Sequence, residues 1–218
     1  MSVHLMREIA GLKKQIYGLS AVVEEHVRMA VRAVMRRDAV LAQSVINADD
    51  IVDQHEVTIE EECLKLLALH QPVANDLRFL VSVLKLNRDL ERIGDLAVNI
   101  AKRAKFIAGQ PPIELPFDVT VIAEKSQAML HKSLDALINM DLNAARQLDT
   151  DDDEVDALNQ EAFELVKDQI RLHPENLDLY LAMLNVSRHL ERIADHAANL
   201  AEDVVYLIEG KIIRHQRL

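Results

Sequence analysis

Four acidic pairs, each with a spacing of four residues, carry the clearest chemistry in this chain. Asp49 with Asp53, Glu91 with Asp95, Asp152 with Asp156 and Glu191 with Asp195 would each place two carboxylates one helical turn apart. Stacked carboxylates offer oxygen donors suited to hard cations such as iron, manganese, magnesium or calcium. Without a cation, the same spacing costs a helix roughly 0.2–0.5 kcal/mol per pair through like-charge repulsion. Arg88 and Arg92 precede Glu91 and Asp95 by three residues, so for any single pair an intrahelical ion pair is the plainer explanation. No cluster of Cys and His accompanies the acids, which argues against a tetrahedral thiolate zinc site.

Duplication separates these pairs from an ordinary solvated face. Residues 84–101 and 184–201 are identical at ten of eighteen positions with a constant offset of 100. The shared residues include Arg88/Arg188, Glu91/Glu191, Arg92/Arg192, Asp95/Asp195 and Asn99/Asn199. A repeat kept only for its core would preserve apolar residues; this one also preserves charges and amides. Upstream, ADDIVD (48–53) aligns with DDDEVD (151–156), and Asp38 with Asp141, at an offset of 103. On a helix at about 100° per residue, Glu91, Asp95 and Asn99 form a narrow row opposite Leu90, Ile93, Ala97, Ile100 and Ala104. That row is expected to be accessible. Glu56 and Glu60 extend the Asp49/Asp53 row, but the counterpart of Glu56 is Asn159, which makes Glu56 a weaker candidate ligand. His196, a third of a turn from Asp195, suits a hydrogen bond at the bundle edge better than direct ligation.

The elements that must carry these pairs read as helices throughout. Half of the residues are hydrophobic, 3% are aromatic, and the 218-residue chain has 5 Gly and 5 Pro. Ala, Leu, Val, Ile and Glu at helical spacing predict an all-α fold. One amphipathic helix is expected over 3–37, a second from Asp38 to about Leu69, and a third from about Ala74 to Ala108, with Pro72 as the breaker. Gly109, Pro111, Pro112 and Pro116 make the linker. Beyond it come helices to about Met140, from Leu142 to about Leu172, and from Pro174 to about Glu209. The prediction is two tandem, pseudo-symmetric antiparallel three-helix bundles: 1–108, a linker over 109–116, and 117–218.

The doubled LERIGDLAVNIA and LERIADHAANLA, each preceded by an acidic D-x-x-x-D pair, resemble the PhoU family of phosphate-signalling proteins. QPVANDLR (71–78) resembles that family's entry to its third helix. The resemblance implies two three-helix bundles carrying multinuclear metal clusters, chiefly iron, with manganese, magnesium or zinc as alternatives. Carried over by position, Asp49, Asp53, Glu91 and Asp95 are the ligands of one cluster. Asp152, Asp156, Glu191 and Asp195 are those of the other. Glu56, Asn99 and Asn199 are expected as further ligands or as groups bonded to ligands. Leu96 departs from the pattern that His196 follows, so the two sites are expected to differ. The resemblance also implies a regulator that links the ATPase of a phosphate ABC transporter to a sensor histidine kinase and represses the phosphate-starvation response. Self-association as a homodimer belongs to the same expectation.

A rival reading is a carboxylate-bridged metal enzyme performing redox or hydrolytic work. Neither acidic row contains the Glu-x-x-His pair of ferritin-like di-iron bundles, and no separate nucleophile or Gly-rich phosphate loop is visible, so a non-enzyme is expected. A metal-free helical scaffold is the third alternative. The net charge of −11 disfavours nucleic acid as a partner. The single Cys63 fits a reducing compartment and a buried apolar role. No run approaches the ~20 apolar residues of a membrane span, and residues 1–15 lack a signal-peptide core. A cytoplasmic protein that reaches a membrane face only through partners is expected.

Overall fold

The structure is a computed structural model that describes residues 3–113 and 116–212. The linker residues Glu114 and Leu115, and residues 213–218 with the basic Arg214 and Arg217, lie outside the described residues. The first repeat comprises α1 (Val3–Arg36), α2 (Ala39–Asn47), α3 (Asp49–His70) and α4 (Ala74–Ala108). The second comprises α5 (Val119–Asn139), α6 (Leu142–Arg146), α7 (Leu148–Leu172), a short 3-10 turn (Pro174–Asn176) and α8 (Leu177–Glu209). Among the described residues there is no strand. None of these helices is long and apolar enough to cross a membrane.

The long helices end where the sequence places their stops. A left-handed Gly210 closes α8 and a left-handed Gln71 closes α3 just before Pro72. The turn after the first helix of each repeat is itself duplicated. Arg37 and Met140 both take positive φ (53° and 52°), and the following Asp38 and Asp141 cap the next helix. Asp38 Oδ1 accepts from the amides of Val40 and Leu41 at 3.0 and 2.9 Å. Asp141 Oδ1 does the same for Asn143 and Ala144 at 2.9 and 3.1 Å. Such caps contribute typically about 1 kcal/mol each. Arg37 also donates to the carbonyl of Ile107 at 2.6 Å, fastening the end of α1 to the end of α4.

The second helix of each repeat is not continuous, contrary to its sequence pattern. The chain breaks at Ala48, whose ψ of 0° lies outside the helix, and again at Gln147. In repeat register the second break falls one turn earlier than the first. The segment is thus broken once in each repeat, and Asp49 begins a fresh helix where its charge meets the positive end of the dipole.

One apolar core runs through both repeats. In the first, α4 packs on α1, α2 and α3; in the second, α8 packs on α5, α6 and α7; and α4 packs against α8. Lys85 pairs with Asp203 and Asp89 with His196, so ascending positions on α4 meet descending positions on α8 and the two helices run antiparallel. This contact makes α4 buried on more sides than an amphipathic helix should be. Leu96, on the same face of α4 as Lys85 and Asp89, is 3% exposed. Cys63 sits in the same core, and burial, with Glu60 and Glu62 nearby, pushes its thiol up to about 12.

A second polar tie joins the repeats at α1 and α5. His131 Nδ1 lies 2.7 Å from Glu24, and its Nε2 lies 3.4 Å from Asp135. The Glu24 hydrogen bond, with help from Asp135, holds His131 above the ordinary imidazole value. A raised folded-state value means that the tie is fully present below the unfolded pKa of about 6.5 and fades as pH rises through the folded one. Because the ring is 61% exposed, the effect should stay below about 1 kcal/mol. Urea unfolding between about pH 6 and 8 should show a slight loss of stability with rising pH in the parent, and a flatter profile in His131→Gln.

Candidate metal centre

The last helix of each repeat, α4 or α8, carries one acidic row, and the helix before it, α3 or α7, carries the other. Glu91 and Asp95 on α4 face Asp49, Asp53 and Glu56 on α3 closely enough for their charges to act on one another. In the second repeat Glu191 and Asp195 on α8 stand in the same relation to Asp152 and Asp156 on α7. All eight acids predicted from the duplicated pattern are thus gathered into two groups of four. Small residues make this approach feasible. A Cβ at Gly94 would lie 3.1 Å from Val52 Cγ1, so α3 and α4 pack tightly one residue before Asp53 and Asp95. Ala194 and Val155 stand at the corresponding places in the second repeat.

The rows are less open than the helical wheel suggests. Glu91, Asp95 and Asp49 are half-buried, as are Glu191 and Asp152, while Asp53, Asp156 and Asp195 are exposed. The neighbouring bundle covers α4 and α8 on the flank that a single repeat would leave to solvent. Burial first, then Asp53 and Asp95, pushes Asp49 above the usual carboxylate range. Burial followed by Asp95 does the same to Glu91, and burial followed by Glu60 to Glu56. In the second repeat, burial raises Glu191, with Asp195 and Asp156 adding to it, and raises Asp195, with Asp156 adding. Each group is a concentration of negative charge that a cation would relieve.

The two groups differ in how much relief the protein itself supplies. Arg92 reaches Glu91 at 3.4 Å and Asp95 at 3.2 Å, and Lys102 acts on Asp49. The intrahelical ion pair that the sequence allowed is therefore real in the first repeat. The counterpart of Lys102 is Glu202; Arg188 acts on Glu191, and His196 and Arg192 act on Asp195, through charge without an ion pair of this kind among the described residues. On α5, Lys132 bonds Asp151 at 2.6 Å and Lys125 pairs with Glu154, acids of α7 that lie outside the site. Among the described residues, only Asp156, Glu191 and Asp195 bring three metal-ligating atoms within 4.8 Å of one another. An all-oxygen donor set at that separation fits a hard divalent cation or iron.

The subsidiary candidates fall as follows. Asn99 and Asn199 are half-buried one turn beyond Asp95 and Asp195 on the same rows. Glu56 belongs to the first group and lines a groove of about 710 Å³ between α3 and α4, with Glu60, Asn87 and Arg88. Asn87 is a residue that sequence reading passed over; its counterpart Ser187 gave no hint of a buried amide. His196 turns from the carboxylates to bond Asp89 on α4 at 2.9 Å, an edge contact between the two repeats. His70 bonds Glu8 at 2.8 Å and holds α3 to α1.

The fold and the paired sites define a class: a duplicated helical bundle whose two halves each present a carboxylate cluster between their last two α-helices. A PhoU domain is matched twice, over residues 16–104 and 119–204. The chain is 36% identical over 214 residues to the phosphate-specific transport system accessory protein PhoU homolog of Aquifex aeolicus, covering 98% of this chain and 97% of that one. It is 36% identical over 210 residues to the homolog of the same name from Pseudomonas aeruginosa, covering 95% and 86%. The crystal structure of PhoU from Pseudomonas aeruginosa superposes with a TM-score of 0.90 at 35% identity, covering 94% of this chain and 99% of that one. A phosphate transport system regulatory protein PhoU from Streptococcus pneumoniae superposes at 0.83 and 30% identity, covering 95% and 98%. The chain belongs to the PhoU family. Its relatives are named as accessory and regulatory proteins.

Proposed function

We propose that this chain is a metal-binding regulatory accessory of a phosphate-specific transport system. It works in the cytoplasm as an adaptor between the transporter's ATPase and a sensor histidine kinase, and it holds down the phosphate-starvation response when phosphate is plentiful. The names of the relatives support the accessory and regulatory part. The single observation that carries the metal part is the convergence of Asp156, Glu191 and Asp195, with ligand atoms within 4.8 Å.

Asp49, Asp53, Glu91 and Asp95 would hold metal in the first repeat, and Asp152, Asp156, Glu191 and Asp195 in the second. Glu56, Asn99 and Asn199 stand near enough along the rows to assist. The family resemblance favours multinuclear iron, and the oxygen donor set accommodates manganese or magnesium equally well. Bound cations would cancel the repulsion within each group and stiffen the spacing of α3 to α4 and of α7 to α8. The outer surface of the bundle would then present a fixed shape to its partners.

Affinity capture from phosphate-replete cells tests the adaptor role. The tagged chain should recover the transport ATPase and the kinase, and Asp95→Asn/Asp195→Asn should recover less of both. Recovery of neither partner by the parent chain would overturn the reading.

A further inference from the structure

The pseudo-symmetry that duplicates the acidic rows is broken along the α4–α8 seam. On one flank Lys85 Nζ lies 3.1 Å from Asp203 Oδ1, and His196 Nδ1 lies 2.9 Å from Asp89 Oδ1. Each base there has its acid. Shifting every residue by the repeat offset of 100 gives the opposite flank: Asn185 for Lys85, Arg103 for Asp203, His189 for Asp89 and Leu96 for His196. Both acids of the first flank have become bases, and none of the four positions holds a carboxylate.

Arg188 and Arg192 bring further positive charge to the same place. Burial first, then Arg192, Arg103 and Arg188, pushes the imidazole of His189 down to about 4. Guanidiniums from α4 and α8 therefore stand around one half-buried ring, and all three are exposed to solvent. Among the described residues none of them makes a hydrogen bond or an ion pair, and His189 Nδ1 is buried without a partner. Glu191 feels Arg188 and Asp195 feels Arg192, in each case through charge alone. Arginine cannot shed its proton to ease such crowding. An anion can ease it.

The donors also indicate which anion. A guanidinium engages an oxyanion through two parallel N–H groups, and a tetrahedral dianion has oxygens enough for three guanidiniums where a single carboxylate does not. We propose that the cluster of Arg103, Arg188 and Arg192 beside His189 is a binding site for a phosphate dianion, free or as a monoester. The choice of phosphate among tetrahedral oxyanions rests on the transport-system reading above; the concentration of charge does not. Because its donors come from both repeats, the bound dianion ties α4 to α8 on the flank opposite Lys85 and Asp203.

Equilibrium dialysis of radiolabelled inorganic phosphate against the full chain tests this, with unlabelled phosphate, phenyl phosphate and sulfate as competitors. Arg103→Gln should weaken phosphate by roughly tenfold or more, as the loss of one charged hydrogen-bonding group implies. Arg103 is exposed and belongs to neither acidic group, so the variant should fold normally. Arg103→Asp/Asn185→Lys, which writes the pair of the first flank into the second, should abolish binding. The ring resonances of His189 should shift with phosphate in the parent and stay in place in Arg103→Gln. Competition by phenyl phosphate at or below the concentration required of unlabelled phosphate would assign the site to an esterified phosphoryl group, and competition by unlabelled phosphate well ahead of it would assign the site to the free ion. No binding by the parent, or equal binding by Arg103→Gln, would overturn the site. So would loss of binding in Asp95→Asn/Asp195→Asn with Arg103→Gln unaffected, because the phosphate would then be held by a metal. Stronger competition by sulfate than by phosphate, with partner capture intact, would overturn phosphate as the ligand and leave the accessory reading standing.

Discussion

Replacing Asp95 and Asp195 together by Asn should remove most of the metal proposed for the two sites and should make the metal-free form more stable than the parent. The two effects have one cause. Each Asn keeps the shape and one oxygen of the acid but removes a charge from a group of four. In the metal-free parent those charges are held against burial and against one another, and their removal relaxes both. Asp195 is exposed and Asp95 half-buried, so solvent screening limits the gain to a few tenths to about 1 kcal/mol. With metal present the order reverses. A ligand at 100 times its dissociation constant stabilises the folded state by about 2.7 kcal/mol per site, more than the repulsion it cancels. Thermal unfolding with and without chelator should therefore cross: the variant melts later in chelator and earlier in metal. Elemental analysis of freshly purified protein supplies the companion measurement. A merely solvated acidic face gives equal metal in both proteins and no crossing.

The single substitutions should differ. Arg92 and Lys102 already neutralise part of the first group, and a metal must displace the Arg92 contacts with Glu91 and Asp95 to use those oxygens. The second group keeps three ligand atoms converged with no such bridge. At limiting metal, Asp195→Asn should cost more occupancy than Asp95→Asn.

The acids of the two candidate groups stand out because the chain states them twice. Glu91/Glu191 and Asp95/Asp195 stand at one offset within a segment that also repeats its arginines, and chance does not preserve charge in that way. Ends of α4, α5 and α8 were legible for a local reason: apolar rows stop before Gly109, at about Met140 and at about Glu209, or begin after Pro72 or Pro174. The breaks at Ala48 and Gln147 were not, because every residue around them is compatible with a helix and only packing against α1, α4, α5 and α8 bends the chain. Burial of the acidic rows was misread for a similar reason. A wheel drawn for α4 alone knows nothing of α8, which packs on the face that carries Lys85, Asp89 and the buried Leu96. The angle of His196 to Asp195 favoured a bundle-edge hydrogen bond over ligation, but its partner, Asp89, is 107 residues away and became visible only once the repeats were docked.

The α4–α8 seam carries the largest stability effect expected from one surface-reaching side chain. Lys85 Nζ lies 3.1 Å from Asp203 Oδ1, and Asp203 is 2% exposed while Lys85 is 32% exposed. The ammonium also lies 4.6 Å from the Tyr206 ring centroid, a cation–π contact on the same helix face as Asp203. The pair occurs once: the counterparts of Lys85 and Asp203 are Asn185 and Arg103, so nothing in the duplicated pattern duplicates it. Removing one partner of a buried ion pair costs about 3–5 kcal/mol because the other charge stays buried, whereas replacing both with apolar groups is nearly neutral. Lys85 is partly solvated and Asp203 keeps other interactions, which places Lys85→Met nearer 2–3 kcal/mol. For a chain of this size that corresponds to a fall of roughly 4–12 °C in the melting temperature. Lys85→Met/Asp203→Leu should recover most of it, and the double-mutant cycle then isolates the pair. Equal losses in Lys85→Met and in the double variant would mean that the Lys85 stem and the Tyr206 contact, not the charge on Asp203, hold the two repeats together at this point.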